Sequence, residues 1–192
     1  MKDFVELVCE ARSCRRFVED EPIGPDMLRT LVNCVRRTTS ARNRQPLRYM
    51  TVSDVATRLQ LFTHTHWASV LGWDGPPPGE RPTGFIVILS TSPASMPVYY
   101  DTGIAAQTMQ LHAVSMGLGC CMLNNFPRDP VRELLAIPVD MEIMLLLAFG
   151  IPKEKRVLLE ARAKDDLQYW RDESGVHYVP KLALEDVLVG ER

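Results

Sequence analysis

Three arginines and a serine lie close together near the N-terminus, in the segment ARSCRRF from Ala11 to Phe17. A guanidinium is a planar fork of N–H donors that suits a phosphate, and a hydroxyl adds a further donor. Arg12, Ser13 and Arg15 are therefore candidates for an anion clamp. Taken alone, the segment favours the other interpretation, a solvated basic turn, because that is what most short charge clusters are.

A second polar segment, TTSARNRQPLRYMTV from Thr38 to Val52, is a loop that leads into a strand of β-branched and aromatic residues. Its hydroxyl and amide side chains can present hydrogen bonds to a flat polar heterocycle. The alternative is that Ser40 and Asn43 only hold the turn.

The other reactive side chains suggest no catalytic site. His64 and His66 form an HxH pair, but no nearby Cys, Asp or Glu supplies the third ligand that a metal usually needs, so we take both as loop residues. Cys120 and Cys121 fall on a predicted buried strand, where cysteine mostly behaves as a small hydrophobe. The sequence also lacks a G-x-G-x-x-G, a Walker loop, a G-x-S-x-G elbow and a defensible Ser-His-Asp order. We therefore expect no protein nucleophile.

The element around which the candidates must be arranged begins at Pro97 in the stretch PVYYDTGIAAQTMQLHAVSMGLGCCMLNN, which ends at Asn125. Its pattern predicts a buried helix with Ser95 as N-cap, and Gly117 or Gly119 can take the left-handed conformation that ends it. Apolar residues cover nearly the whole circumference of this helix, and its small residues allow close approach: Gly103, Ala105 and Ala106. We expect it to pack on two sides, against its own sheet and against a partner.

The flanking patterns predict two core strands, from Thr83 to Thr91 and from Met141 to Gly150, because both runs are almost wholly apolar. A shorter strand is expected within Leu118 to Phe126. Helices are predicted over Phe4 to Glu10, from Pro25 to about Arg37, from Asp54 to about His64, and over Asp129 to Ala136. A proline-rich loop carrying Trp67 and Trp73 is either a hydrophobic lid or a cover for the core.

The character of the chain changes at Lys153, after which it is charged and ends in the stretch HYVPKLALEDVLVG. This tail has hydrophobic residues but little partner sequence of its own. Such a tail usually needs another surface, so we predict that it wraps a partner subunit.

Composition limits the function classes. With 22 basic and 24 acidic residues among 192, the net charge of −2 argues against nucleic acid or an anionic membrane as the main partner. The longest apolar run is far too short to span a bilayer, and we see no secretory signal. Five cysteines without CxxC spacing fit a reducing compartment, so we expect a cytoplasmic protein.

Three segments together resemble the FMN-dependent nitroreductase family. ARSCRRF is similar to that family's Arg-x-Ser-x-Arg opening, SARNRQP from Ser40 to Pro46 is close to its Ser-x-x-Asn-x-Gln-Pro loop, and the helix from Asp101 runs into GLG. Their order and separation agree over nearly the whole chain. The resemblance implies an α+β fold with a central, mostly antiparallel sheet flanked by helices and an intertwined homodimer. Residues 1–170 would form the FMN-binding domain and 171–192 an extension packed on the partner subunit.

The resemblance also implies which residues contact FMN. Arg12, Ser13 and Arg15 would direct guanidinium groups toward the phosphate and the N1 and O2 edge of the ring. The loop from Ser40 to Pro46 would contact FMN from the other subunit of the dimer. The residues after the short strand would pass beside the flavin N5, and late basic residues would lie near the phosphate. The remaining implied contacts are Ser40, Asn43, Gln45, Leu123, Asn124, Asn125, Arg162 and Lys164.

The activity implied is a ping-pong transfer of hydride from NADH or NADPH through FMN to an electron-poor acceptor such as a nitroaromatic or a quinone. The flavin carries this chemistry, which agrees with the missing nucleophile. Departures from the family pattern concern the substrate: Leu47 and Arg48 replace a Trp and a polar residue, Asn124 replaces an acidic one, and the loop from Thr65 to Pro82 is short. The alternatives are a specialised flavin enzyme of the same fold, a non-catalytic FMN-binding dimer, and an interaction dimer without cofactor.

Overall fold

The computed structural model describes residues 3–192, which divide into two compact units, residues 3–153 and 154–192. The first unit contains five helices and four strands among its described residues. In chain order they are α1 (Phe4–Glu10), α2 (Pro25–Val35), β1 (Leu47–Val52), α3 (Val55–Thr63), β2 (Gly84–Ser90), α4 (Met96–Ser115), β3 (Gly119–Leu123), α5 (Arg128–Leu134) and β4 (Glu142–Gly150). Short 3-10 turns occur at Ala41–Asn43 and Ser69–Leu71.

The strands of the first unit form one antiparallel sheet in the order β1-β2-β4-β3. The central pair runs from Gly84 opposite Phe149 to Ser90 opposite Glu142, with one irregularity between Ile88 and Leu89. Every residue of β2 is buried, as expected for a strand covered on both faces. The predicted α+β fold with an antiparallel sheet flanked by helices is therefore confirmed, and so are both predicted core strands.

Two apolar cores lie on the two faces of this sheet, because alternate residues of a strand point to opposite sides. Phe85 and Val87 of β2 pack with Phe17, Trp67 and residues of α3 and α5. Ile86 and Ile88 of the same strand pack with residues of α2 and α4. Trp67 is 2% exposed and Trp73 packs against the first core, so the tryptophans of the proline-rich loop cover the core.

Helix α4 has a buried and an exposed face. Gly117 follows it with φ +78°, and the Leu118 N–H donates to the Ala113 carbonyl, which is how a left-handed residue ends a helix. Ser95 precedes the helix as predicted, although its side chain makes no capping bond. The outer face carries several exposed apolar side chains: Met96, Tyr99, Tyr100 and Ile104. Helix α4 therefore packs against its own sheet as predicted, and the side predicted to meet a partner is exposed in the single chain.

The second unit is a small three-stranded sheet. It contains β5 (Arg156–Ala161), β6 (Trp170–Arg171), β7 (His177–Leu182) and helix α6 (Leu184–Val187). Strand β7 pairs in parallel with β5 and antiparallel with β6. Glu154 and Arg171 of this unit form a salt bridge of 2.9 Å, with the Glu154 side chain almost fully covered. The C-terminal tail thus finds backbone partners within its own unit.

No helix among residues 3–192 is long and apolar enough to cross a membrane.

Candidate active site

The arginine segment lies along strand β3. The Cys14 N–H donates to the Cys120 carbonyl at 2.8 Å, and Ser13 forms a bridge with the same residue. Ala11, Cys14 and Phe17 are buried at every third position. A Cβ added at Gly119 would come within 2.6 Å of the Cys14 sulfur, so the two backbones are in close contact. The buried side chains anchor the segment, and the polar residues between them are half-buried.

The arginines of this segment have different partners. Arg12 donates to the Val8 carbonyl at the end of α1. Arg16 forms a salt bridge of 3.2 Å with Glu80 and lies over the Trp73 ring. Arg16 therefore fixes the proline-rich loop, whereas the residues that the sequence predicts as a clamp are Arg12, Ser13 and Arg15.

The loop between α2 and β1 is held in an unusual conformation. Arg42, Asn43 and Gln45 have φ values of 53°, 53° and 48°, and a non-glycine residue at such positive φ costs about 1 to 3 kcal/mol. The Gln45 side chain donates to the Asn43 side-chain oxygen at 2.9 Å, and the Gln45 N–H donates to the Ser40 hydroxyl at 3.0 Å. The three predicted loop residues Ser40, Asn43 and Gln45 thus form one connected cluster.

A buried carboxylate anchors this loop. Asp101 of α4 is 4% exposed, and it accepts the Ser40 hydroxyl at 2.6 Å and the Ala41 N–H at 2.9 Å. Hydrogen bonds to an ionised group are about twice as strong as neutral ones. Sequence reasoning missed this role, although Asp101 is the only Asp, Glu, Lys or Arg in the twenty residues of α4. A lone carboxylate in an apolar helix was the available signal.

Burial, and after it the charge of Asp101, raises the pKa of Tyr49 to about 12. The Tyr49 phenol therefore stays neutral near neutral pH and adds no negative charge beside the loop.

The third predicted segment follows strand β3. Leu123 is buried at the end of the strand, and Asn124 and Asn125 are exposed. Arg128 donates to both the main-chain and the side-chain oxygen of Asn124, and burial lowers the pKa of its guanidinium. The His66 N–H donates to the Asn125 carbonyl at 3.1 Å. Arg128 is a second positioning residue that sequence reasoning missed.

The sheet order determines which groups one chain brings together. The arginine segment and Leu123–Asn125 both border β3, at one edge of the sheet, whereas Ser40–Gln45 precedes β1 at the other edge. Three strand spacings separate the edges, which amounts to about 14 Å. The first two groups are therefore neighbours along one strand, and the loop lies away from both.

Arg162 and Lys164 belong to the second unit. The Arg162 guanidinium contacts Asp186 at 3.1 Å and Glu185 at 3.3 Å. Lys164 makes no hydrogen bond or ion pair within residues 3–192. Across the same residues, no group of three or more His, Cys, Asp or Glu side chains is arranged to hold a metal ion.

The motifs that frame these groups are matched by one family model, that of the Nitroreductase family, over residues 9–73 and 81–151. The chain belongs to the nitroreductase family. The matched residues include the arginine segment, the Ser40–Gln45 loop, Leu123–Asn125 and helix α4. The family assignment suggested by the three sequence segments is thereby confirmed.

Individual nitroreductase relatives agree with this assignment. A protein of Archaeoglobus fulgidus, provisionally named an NADH dehydrogenase/NAD(P)H nitroreductase, is 25% identical over 170 residues, which cover 84% of this chain and 92% of that protein. A nitroreductase family protein of Clostridium novyi NT superposes with a TM-score of 0.66 at 21% identity, over 79% of this chain and 86% of that one. A provisionally named nitroreductase of Desulfovibrio desulfuricans was solved in complex with FMN. It superposes with a TM-score of 0.69 at 18% identity, over 100% of this chain and 99% of that one. At these identities the solved structures show a shared fold.

Proposed function

We propose that this protein is an FMN-dependent oxidoreductase that takes hydride from NADH or NADPH and delivers it to an electron-poor acceptor such as a nitroaromatic or a quinone. The observation that carries the proposal is that the guanidinium and hydroxyl segment, bridged to β3 at Cys120, lies beside the strand that leads into Leu123 and the exposed Asn124 and Asn125. The FMN complex of the Desulfovibrio desulfuricans relative supports the choice of cofactor.

The chemistry of these donors fits FMN. Arg12 and Arg15 would meet the phosphate and the pyrimidine edge of the ring, Ser13 would add a hydroxyl, and the Asn124 and Asn125 backbone would border N5. Bound FMN would supply the hydride-transfer chemistry between the nicotinamide and the acceptor. A guanidinium near the pyrimidine edge would stabilise negative charge there without reorganisation.

We further propose that the active form is a homodimer in which the Ser40–Gln45 loop completes the site of the other subunit. The location of this loop at the sheet edge opposite the clamp supports an exchange of this kind. The exposed apolar face of α4 supports an interface, because Tyr100 is 60% and Ile104 39% exposed. A Cβ at Gly103 would meet nothing within 4 Å, so another helix has room to approach.

The remaining assignments are part of the same proposal. Residues 171–192 would extend the FMN-binding domain of residues 1–170 onto the partner subunit, since α6 and the residues after it expose Leu184, Val187, Leu188 and Val189. Arg162 and Lys164 are proposed contacts to the FMN phosphate. To reach it, Arg162 would have to leave its carboxylate partners, Glu185 and Asp186. We propose a cytoplasmic location, which five cysteines without CxxC spacing support.

The test of the cofactor and the activity is spectroscopic. Freshly purified protein should show a flavin spectrum, release FMN on denaturation, and lose the oxidised flavin absorbance when mixed anaerobically with NADH or NADPH. A colourless protein that does not bind added FMN would contradict the proposal. FMN that neither nucleotide reduces would instead indicate a non-catalytic flavin-binding dimer.

The interface prediction uses Ile104→Glu combined with Tyr100→Glu. Placing two carboxylates on the exposed face of α4 should convert the dimer to a monomer, because a charge that loses water without a partner is costly. Light scattering after size-exclusion chromatography measures the mass. Val55→Glu is the matched control, since Val55 is 55% exposed on α3. A double variant that remains dimeric would remove α4 from the interface.

A further inference from the structure

Residues 27–53 are strongly basic in a chain that is slightly acidic overall. They include six arginines and no Asp or Glu, and Asp26 and Asp54 border them on either side. The arginines are Arg29, Arg36, Arg37, Arg42, Arg44 and Arg48. This stretch spans most of α2, the Ser40–Gln45 loop and strand β1, so the positive charge surrounds the loop that we propose to contact the flavin.

A cavity of about 250 Å³ opens within this basic stretch, between α2, the loop and β1. Its wall combines an apolar surface from Val32 and Val35 with the Tyr49 ring, and Arg36 and Arg48 also line it. Threonine hydroxyls and the loop residues complete the lining. A flat aromatic ring with an attached anion has the complementary chemistry.

The two lining arginines keep their charge unneutralised. The Arg36 Nε donates to the Asn33 side-chain oxygen at 2.8 Å, and Arg48 donates to the carbonyls of Gln45 and Leu47. Within residues 3–192 neither arginine has a carboxylate at ion-pair distance. Arginines elsewhere in the chain that form ion pairs include Arg16, Arg58, Arg162 and Arg171.

The one acid of the cavity offsets one of the two guanidinium charges but forms no ion pair with either arginine. Asp101 lines it, but its two oxygens already accept the Ser40 hydroxyl and the Ala41 N–H. Tyr49 stays neutral because burial raises its pKa to about 12. The cavity therefore presents two guanidinium forks, which bind phosphate oxygens in pairs.

We infer that this cavity binds the adenosine end of NADPH, with Arg36 and Arg48 on the 2′-phosphate, so that the enzyme prefers NADPH to NADH. The inference rests on the proposed function. Ser40 and Gln45 line the cavity as well, so a dinucleotide whose nicotinamide lies on the flavin can direct its other end here. An arginine near the ribose is a general way to accept a 2′-phosphate.

The direct test measures binding to the purified holoprotein by calorimetry, with adenosine 2′,5′-bisphosphate and 5′-AMP as probes. The bisphosphate should bind at least about tenfold more tightly, a difference of about 1.4 kcal/mol. The variant Arg36→Gln/Arg48→Gln should lose this preference and leave 5′-AMP binding unchanged. If it does not fold, Arg36→Lys/Arg48→Lys keeps the charge without the fork and should lose most of the preference.

Arg29→Gln is the matched control, because Arg29 belongs to the same basic stretch but does not line the cavity. It should leave both affinities unchanged.

Equal affinities for the two probes, or the same loss in the Arg29 variant, would overturn the inference in favour of diffuse charge. Equal reduction of the flavin by NADH and NADPH would also overturn it while leaving the proposed function intact. If the protein prefers the bisphosphate but neither NADH nor NADPH reduces its flavin, the cavity assignment stands and the proposed oxidoreductase function is wrong.

Discussion

Replacing Arg12 and Arg15 by alanine is expected to raise the dissociation constant for FMN about a hundredfold or more. Each hydrogen bond from a guanidinium to an anion contributes about 1.5 to 3 kcal/mol, so two lost contacts amount to roughly 3 to 6 kcal/mol. The quenching of FMN fluorescence on titration with protein measures the constant. The double variant Arg12→Lys/Arg15→Lys should recover part of the affinity, because it keeps the charge and loses the planar fork.

Arg16→Gln is the matched control for this clamp. Arg16 lies in the same segment, yet its guanidinium is directed to Glu80 and Trp73. Losing this partly exposed salt bridge should cost at most about 1 kcal/mol of stability, with FMN affinity unchanged. If the alanine double variant binds FMN with wild-type affinity, the segment is the solvated basic turn that its charge cluster alone suggests. Melting temperatures of all variants separate this outcome from misfolding, since Arg12 also bonds to the Val8 carbonyl.

Local sequence signals predicted the strands of the sheet and the helices that flank it. The apolar runs became β2 and β4, Pro25 begins α2, and Gly117 takes the left-handed conformation that ends α4. These features depend on neighbours a few residues apart, so the chain itself carries the information. The expected partner on the second side of α4 stays a prediction, because an apolar pattern alone does not tell whether its own chain or another covers it.

The positioning residue Asp101 depends on a contact that is remote in sequence, whereas Arg128 depends on a local turn. Asp101 meets Ser40 across sixty-one positions, and Arg128 reaches back to Asn124 only because α5 begins directly after the β3 loop. Side-chain chemistry marked the arginine segment and the loop with Ser40 and Asn43. A family resemblance supplied the other site residues. Both name contacts to a ligand and not the side chains that hold those contacts. For the same reason the structure was needed to show that Trp67 belongs to the core and that Arg16 is turned toward Glu80.

Asp101→Ala is expected to lower the free energy of unfolding by about 3 kcal/mol and to weaken FMN binding. The carboxylate supplies two charge-assisted hydrogen bonds of about 1.5 to 3 kcal/mol each, of which the released Ser40 and Ala41 donors recover part from water. For a chain of this size about 3 kcal/mol corresponds to a fall of roughly 6 to 12 °C in melting temperature. Ser40→Ala removes one of the two bonds and should cost about half as much. A double-mutant cycle should show that the two changes are not additive, because they share one contact.

The effect on FMN distinguishes a positioning role from a purely structural one. Without the carboxylate, the strained backbone at Arg42, Asn43 and Gln45 should relax, so the loop would no longer present its donors to the site of the other subunit. Leu28→Ala is the matched control: Leu28 is fully buried under the same helix layer, and its truncation should cost about 2 to 5 kcal/mol. Measured at a temperature where both variants are folded, FMN affinity should fall for Asp101→Ala and stay unchanged for Leu28→Ala. Equal losses would mean that Asp101 contributes stability alone, whereas a selective loss ties the buried carboxylate of α4 to the flavin through the loop.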